Sequence, residues 1–296
     1  MNKVIVVIGP TAVGKTKLAI DLAKHYGVEI VSGDSIAVYK RLDIGSAKPT
    51  KLEMGEVKHH LIDVLDPKEE YSVADFQKAA RAVLDKNPLT IICGGTGLYI
   101  QSTLFDYEFI AKKRNNEIEE KYKDYTDEEL YEELKRIDHN FDENKIHCHN
   151  RRRVLRALEV ALDTGNSIAS YNNKEKPLYD YFIVYLTLER EVLYERINKR
   201  VDLMIENGLL AEVKQLYDEG IRPKGIGYKE LIKYFDGEIS LVEAVDEIKK
   251  NSRHLAKRQI TWFKNQLNSH FYNINLSDYE KTLTEVIQDI DGWLEK

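Results

Sequence analysis

The chain contains only two cysteines, Cys93 and Cys148, among its 296 residues. Two cysteines are too few for the disulfide framework of a small secreted domain, so we expect reduced thiols. No apolar run approaches the ~20 residues that a membrane-spanning helix needs. The first residues lack the apolar stretch and cleavage site of a secretory signal. Together these absences predict a cytoplasmic protein with no membrane segment.

An excess of positive charge is lacking as well. The formal net charge is -6, which argues against bulk electrostatic binding of nucleic acid but permits a local basic strip. Internal repeats and low-complexity tracts are absent, which excludes a solenoid. With 43% hydrophobic residues, the chain is long enough to form one or two globular domains.

The most informative segment lies near the start of the chain. Residues 4–8 form an unbroken apolar run that predicts a buried parallel strand. The motif G-x-x-x-x-G-K-[ST] follows and is filled by Gly9, Pro10, Thr11, Ala12, Val13, Gly14, Lys15 and Thr16. Because apolar residues at helical spacing come next, we interpret these eight residues as a phosphate-binding loop and not as an ordinary strand-to-helix turn. Lys15 is expected to contact phosphates and the Thr16 hydroxyl to bind Mg²⁺.

Four further segments have the composition of strands. They are residues 28–32, 89–93, 181–186 and 271–274. Strands that alternate with helices favour a parallel sheet, so the predicted fold class is α/β, a P-loop-containing parallel sheet flanked by helices. Residues 37–67 have no sustained period and are interpreted as a long functional loop with short helical pieces.

From about residue 107 the chain becomes densely charged, with sparse apolar positions at helical spacing. This pattern predicts amphipathic helices in a satellite domain. We therefore divide the chain into a catalytic core, residues 1–106 and 173–296, and a helical insertion, residues 107–172.

Two polar residues follow predicted strands. Asp34 follows the second strand, which we expect next to the strand that precedes the phosphate loop, and it has three open roles: metal ligand, general base or structural cap. Thr96 either offers a hydroxyl to a ligand or closes a turn. Residues 89–93 are followed by Gly94 and Gly95 and not by the second Asp of a motor or switch GTPase, and no N-K-x-D signature occurs. Both absences argue against those classes.

Basic residues form three clusters. One contains Arg151, Arg152, Arg153 and Arg156, a second lies within residues 249–264, and a third lies within residues 196–200. Such clusters are commonly solvated helix faces. Beside a phosphate loop in an otherwise acidic chain, they favour a phosphate-rich partner. The histidine pairs lack the spacing of a zinc site.

The sequence resembles the bacterial tRNA dimethylallyltransferase (tRNA isopentenyltransferase) family over nearly its whole length. The resemblance rests on an ordered series of segments: GPTAVGKT (9–16), GDSIAVYKRLDIGSAKP (33–49), HHLID (59–63), YSVADF (71–76), GGTGLY (94–99), NRRRVLRALE (150–159), GYKE (227–230) and AKRQITWF (256–263). A phosphate loop alone is a common chance match, whereas this series is specific.

The resemblance implies transfer of a dimethylallyl group from dimethylallyl diphosphate to N6 of adenine 37, beside the tRNA anticodon. The phosphate loop, with Mg²⁺, then holds a diphosphate leaving group. Asp34 matches the family's general base, Thr96 matches a residue that orients the same nucleotide, and Arg200 adds positive charge near the diphosphate.

The resemblance also implies two tRNA-contact segments. The first comprises Asp34, Ser35, Ile36 and Ala37 together with Thr96, and the second comprises Arg152, Arg153, Val154, Leu155 and Arg156. The insertion is expected to grip the anticodon stem-loop, and the protein is expected to be a monomer. Two rival functions stay open: a small-molecule kinase, which would consume ATP, and a non-enzymatic RNA-binding module with a vestigial phosphate loop.

Overall fold

The computed structural model describes residues 1–107, 109, 116–144, 146–170, 176–267 and 269–296. These residues form two compact units. The first is discontinuous, Met1–Leu104 with Pro177–Lys296, and the second is Phe105–Lys176. The insertion boundary expected at residue 107 lies two residues inside the second unit, and the boundary expected at residue 172 lies outside the described residues.

The first unit is built on a six-stranded sheet. Its strands are β1 (Lys3–Ile8), β2 (Ile30–Ser32), β3 (His59–His60), β4 (Leu89–Cys93), β5 (Asp180–Thr187) and β6 (His270–Asn273). Their order across the sheet is β3-β2-β4-β1-β5-β6, and all adjacent strands are parallel. The predicted α/β fold class is confirmed. The short edge strand β3 was not predicted, because a two-residue strand leaves no periodic pattern.

Twelve α-helices accompany these strands within the described ranges. They are α1 (Lys15–Tyr26), α2 (Lys51–Met54), α3 (Val73–Leu84), α4 (Gly97–Leu104), α5 (Asn116–Lys121), α6 (Asp127–Ile137), α7 (Arg151–Thr164), α8 (Arg190–Glu206), α9 (Leu209–Asp218), α10 (Tyr228–Phe235), α11 (Leu241–Gln266) and α12 (Tyr279–Leu294). None of those that the structure describes is long and apolar enough to cross a lipid bilayer.

Strand β1 lies inside the main core of the first unit. Its residues from Val4 to Ile8 have no exposed surface, because β4 and β5 pair with its two edges and apolar helix faces cover the sheet. Leu18 and Leu22 of α1 and Val286 of α12 belong to this core. Continuous apolar sequence is what a strand covered on both faces requires, which is why this prediction from sequence succeeded.

A second apolar cluster of the same unit joins α9, α10 and α11. Tyr228 and Leu231 of α10 and Leu209 of α9 are fully buried there. Leu42, from the long segment that follows β2, inserts into this cluster and is 2% exposed. The segment is therefore anchored to helices that lie far from it in the sequence.

The sheet order corrects one expectation. Asp34 follows β2, which does not adjoin β1, because β4 lies between them. Gly94, directly after β4, packs against the backbone of Gly33: a Cβ atom there would lie 2.3 Å from the Gly33 carbonyl oxygen. A glycine is required at this position, because a side chain would displace the backbone of Gly33, directly before Asp34.

The second unit is a small helical domain formed by α5, α6, α7 and a 3-10 turn, Ile168–Ser170. Thr126 and Glu129 form a capping box that starts α6, and Asn150 caps α7. Tyr122, Leu130 and Leu134 are buried against one face of α7. The predicted amphipathic helices are thus present.

Candidate active site

A cavity of about 210 Å³ lies at the carboxyl edge of the sheet, where ligands bind in open parallel α/β folds. Of the residues singled out from the sequence, those that line it are Thr11, Ala12, Lys15, Thr16, Asp34, Ile36, Ala37 and Arg200. The remaining candidates in this unit belong to the same turns without lining the cavity: Gly9, Pro10, Val13, Gly14, Ser35 and Thr96. The phosphate loop and Asp34 therefore share one cavity.

The phosphate loop curls at three positions with positive φ, the first of which is Gly9, with φ 148°. Gly14, the N-cap of α1, has φ 115°, and Ala12 has φ 64°. A left-handed conformation costs a residue with a side chain about 1–3 kcal/mol, so the surroundings must hold Ala12 in place. This curl turns successive N–H groups toward the N-terminus of α1, which is an anion-binding arrangement.

Side chains from two distant helices hold the loop. Arg196 of α8 donates from Nε to the Ala12 carbonyl oxygen, 3.0 Å away. Gln259 of α11 accepts from the Thr11 N–H at 2.9 Å, and its Nε2 donates to the Gly95 carbonyl at 3.0 Å. One amide thus links the phosphate loop to the turn after β4. The segment 256–263 had pointed to the family, but nothing in the sequence singled out Gln259 as this link.

Lys15 is partly buried, and its ammonium donates to the Pro10 carbonyl oxygen at 2.8 Å. The pKa of Lys15 is lowered to about 8, mainly by burial and in smaller part by nearby Arg200, whereas Cys93 and Asp34 oppose the shift. The ammonium is therefore half charged near pH 8 and fully charged only well below it. An anionic ligand in the cavity would favour the charged form.

Asp34 is held by its own turn. Its Oδ1 accepts the N–H groups of Ile36 at 2.8 Å and Ala37 at 3.2 Å. Among the described residues, no group donates a hydrogen bond to the other oxygen, Oδ2. The carboxylate is thus fixed in direction by one oxygen while the second is available to a ligand, a proton or a metal ion.

Thr96 lies in the turn that follows β4. Its N–H donates to the Gly33 carbonyl oxygen at 3.2 Å, and its carbonyl accepts the first bond of α4 from Tyr99. The backbone of Thr96 therefore closes the turn, as one of the two interpretations expected. This bond also joins the turn to the residue directly before Asp34.

Arg200 reaches the cavity from α8. Its Nη2 donates to the Ala47 carbonyl oxygen at 3.4 Å, and burial lowers the pKa of this guanidinium. The nearby carboxylates of Asp34 and Glu53 oppose that shift. Arg200 and Lys15 place two cationic groups on one partly buried cavity.

The cavity also has an apolar wall that the sequence reading did not identify. Its side chains come from α8, α11 and three loops: Ile36, Ile62, Ile197, Val201, Met204, Ile226, Ile248 and Leu255. The three residues on α8 are spaced by four and three positions, which places them on one helix face. That spacing was visible in the sequence, but it does not distinguish a cavity wall from an ordinary core face. The cavity combines anion-binding groups with a surface suited to hydrocarbon.

The arginines of α7 belong to the second unit. Arg152 and Arg153 are exposed, and Arg156 donates to Glu159 at 2.7 Å. Val154 is fully buried and Leu155 is 8% exposed, because both pack in the core of this unit. Their side chains are therefore not available to a partner, so within residues 152–156 only the arginines can make such a contact.

Comparison with known proteins identifies the family. The model of the IPP transferase family matches residues 37–266, and the isopentenyl transferase model matches residues 2–67. The chain belongs to the IPP transferase family. The predicted family is confirmed, and with it the prediction that the chain is a prenyl-transferring enzyme.

Relatives match this IPP transferase from end to end. A tRNA dimethylallyltransferase of Anoxybacillus flavithermus is 46% identical over 98% of this chain and 97% of its own length. The crystal structure of a tRNA isopentenylpyrophosphate transferase from Bacillus halodurans is 42% identical and covers the whole chain and 97% of its own, with a TM-score of 0.76. A eukaryotic dimethylallyltransferase acting on tRNA has a TM-score of 0.83 at 27% identity, over 97% of this chain and 78% of its own.

Proposed function

We propose that this enzyme transfers a dimethylallyl group from dimethylallyl diphosphate to N6 of adenine 37 in tRNA and releases diphosphate. The relatives described above are named for this transfer or act on tRNA. The observation that carries the proposal is the single cavity lined by the phosphate loop, Asp34, Arg200 and an apolar wall. Such a cavity suits a ligand with an anionic end and a hydrocarbon end.

The diphosphate would lie against Thr11 to Thr16, where the N–H groups at the start of α1 converge. Lys15 and Arg200 supply the positive charge that stabilises the leaving group as the allylic C–O bond breaks. The five-carbon group would lie against the apolar wall. Side chains there exclude water, which would otherwise compete with the adenine for the allylic carbon.

Asp34 is the proposed general base. As the adenine N6 forms a bond to the allylic carbon, the bond from that carbon to the diphosphate oxygen breaks and Oδ2 of Asp34 takes the N6 proton. The two N–H groups that donate to Oδ1 hold the carboxylate in this direction. Thr96, bonded to the turn of Gly33, would orient the same nucleotide.

Mg²⁺ is the proposed cofactor. No group of three or more potential metal-binding side chains (His, Cys, Asp or Glu) lies together in the part of the chain that the structure describes. This fits Mg²⁺, which is commonly held by a few protein oxygens together with substrate phosphates and water. The Thr16 hydroxyl lines the cavity and would bind the ion. When bound, Mg²⁺ neutralises charge on the departing diphosphate.

The tRNA would contact the turn that contains Asp34, Ser35, Ile36 and Ala37, and also the exposed arginines of α7. The adenine must leave its stack to reach the cavity, so base flipping is part of the proposal. The helical insertion would bind the stem-loop through its shape and phosphates. A monomeric, cytoplasmic enzyme stays a prediction.

The test is direct. The protein is incubated with Mg²⁺, unmodified tRNA and labelled dimethylallyl diphosphate, and the nucleosides are then analysed by mass spectrometry. We expect label on adenine 37, and a much slower appearance of label when Asp34→Asn replaces the wild type. ATP serves as the alternative donor: turnover of ATP without prenylation would instead favour the small-molecule kinase. Binding of tRNA without either reaction would favour an RNA-binding module.

A further inference from the structure

Glu212, near the start of α9, uses both carboxylate oxygens to hold a loop of the cavity wall. Oε2 accepts the N–H groups of Asp43 at 3.0 Å and Ile44 at 2.8 Å. Oε1 accepts the N–H of Gly45 at 3.2 Å and the hydroxyl of Tyr228 at 2.7 Å. Three consecutive backbone amides therefore share one carboxylate, 167 to 169 positions away in the sequence.

These three amides belong to the start of a loop, residues 43–49, which forms one side of the cavity. Its residues from Gly45 to Pro49 all line the cavity. Gly45 packs so closely on Tyr228 that a Cβ atom at residue 45 would lie 2.6 Å from the ring. Ala47 has φ 53°, a left-handed conformation that costs about 1–3 kcal/mol and needs support from its surroundings.

The left-handed conformation of Ala47 determines where its carbonyl group points. This carbonyl accepts the hydrogen bond from Arg200 Nη2, and no other acceptor among the described residues binds that guanidinium. If the 43–49 loop relaxes, Ala47 turns its carbonyl away and Arg200 loses the group that orients it. The direction of Arg200 thus depends on Glu212 through two short steps.

We propose that Glu212 is a positioning residue that, through the 43–49 loop and the Ala47 carbonyl, aims Arg200 at the diphosphate. The inference rests on the proposed function, in which Arg200 binds that group. Glu212 does not line the cavity and has no contact with the reacting atoms.

The variant Glu212→Gln tests this inference, because a glutamine cannot accept all the hydrogen bonds that the carboxylate accepts. A glutamine has one acceptor oxygen, and its NH₂ group can face only an acceptor. The Tyr228 hydroxyl can accept, so the amide would turn its nitrogen toward Tyr228 and keep the bonds to Asp43 and Ile44. The Gly45 N–H then loses its partner. The variant therefore keeps the fold but loosens the loop at the residue where the cavity wall begins.

Glu219 provides the matched control. It follows α9 directly and pairs with Arg41, two residues before the loop, through an ion pair in which both side chains are more than a third exposed. Exposed pairs contribute little to stability. Glu219→Gln therefore removes a contact to the same segment without touching an amide of the 43–49 loop.

The experiment measures binding of inorganic pyrophosphate, with Mg²⁺, to the full chain by calorimetry, together with the thermal unfolding of each variant. We expect Glu212→Gln to raise the Kd about three- to tenfold, as the loss of a hydrogen-bond partner would, with the folded state retained. Glu219→Gln should match the wild type. In an Arg200→Ala background, Glu212→Gln should change the Kd by less than about twofold, because the two residues act through one path.

The outcomes separate the two proposals. Failure of the wild type to bind pyrophosphate would overturn the diphosphate assignment and this inference together. A wild-type Kd in Glu212→Gln would overturn the inference alone and leave the diphosphate assignment intact. An equal loss with and without Arg200 would also overturn it, since Glu212 would then act independently of that guanidinium. Steady-state kinetics provide a second test of the inference. In Glu212→Gln, the KM for dimethylallyl diphosphate should rise while the KM for tRNA stays constant.

Discussion

Two helices of this enzyme carry clusters of arginine, and the clusters differ in what their guanidinium groups contact. On α8, Arg196 and Arg200 donate to the carbonyls of Ala12 and Ala47, which belong to loops that line the cavity. On α7, Arg151 donates to the carbonyls of Tyr122 and Tyr125, which belong to the fold of the second unit. The same residue type holds the loops of a cavity in one place and the fold of a small domain in the other.

The two clusters also differ in the kind of ligand that their guanidinium groups can contact. Arg200 sits on a cavity that contains a second cation, Lys15, and burial lowers the pKa of both groups. Desolvation of this kind makes an anionic ligand more favourable, because it restores the interactions that water would have given. Arg152 on α7 is exposed and fully solvated, so it is suited to weak, salt-dependent contacts with a phosphate backbone.

The largest effect is expected inside the cavity. Asp34→Asn keeps an oxygen that can accept the N–H groups of Ile36 and Ala37, so the turn persists, but the base is lost. We expect kcat to fall about 10²–10⁴-fold with little change in tRNA affinity, measured by single-turnover prenylation and filter binding. If affinity fell as much as rate, the cavity would be a binding surface like α7 and the contrast between them would disappear.

Arg200→Gln tests the cation of the same cavity. We expect a loss of about 10²–10³-fold in kcat/KM for the diphosphate donor, because a charged donor to the leaving group is removed. Affinity for tRNA should stay at the wild-type value, and circular dichroism should show an unchanged fold. An Arg200→Gln enzyme that lost tRNA binding instead would place this guanidinium with the arginines of α7.

Lys15 should make activity at the cavity depend on pH, whereas tRNA binding by the arginines of α7 should not. Its pKa is lowered to about 8, so the ammonium is charged below that pH and neutral above it. We expect kcat/KM for the diphosphate donor to fall about tenfold per pH unit above 8, while tRNA binding through α7 stays constant. Lys15→Arg, which stays charged, should lower the rate but remove the fall. A profile that is flat to pH 10 in the wild type would contradict the assigned role.

Much of the fold could be predicted from the sequence, since its main signals are local. Residues 4–8 are a continuous apolar run, residues 89–93 are apolar except for Thr90, and both segments lie in buried strands. Ser72 and Asp75 form the capping box that starts α3, which is another local signal. Helix α12 was not predicted, although its buried residues Val286 and Ile290 are four positions apart, as on one helix face.

The candidate site could be predicted only where one short segment contains the signal. The phosphate loop and Asp34 each lie within such a segment. Gln259 and Glu212 do not, because most of their partners are backbone groups 164 to 248 positions away, and the amino-acid sequence carries no signal for such a backbone contact. The position of β4 between β1 and β2 could not be predicted from the sequence either, since strand order depends on long-range pairing.

A smaller effect is expected in the second unit. Arg151 fixes the start of α7 to the turn after α5, with bonds of 2.6 Å to two carbonyls. Arg151→Ala removes both donors and should lower the free energy of unfolding by about 1–3 kcal/mol, measured by denaturant titration. Arg152→Ala, one position along and exposed, should not. Equal stability of the two variants would show that Arg151 resembles the solvated arginines and not a structural one.

The smallest effect is expected from Arg152 itself. Its guanidinium is exposed on α7, and the proposed contact with tRNA is a single ion pair with a phosphate. Arg152→Ala should weaken tRNA binding only a few-fold at moderate salt, and it should reduce the slope of log K against log salt by about one. Arg156→Ala is the matched comparison, because its bond to Glu159 already satisfies part of its charge; its slope should change less. Since phosphate contacts act through counterion release, a wild-type slope in Arg152→Ala would mean that α7 contributes no charge to tRNA binding.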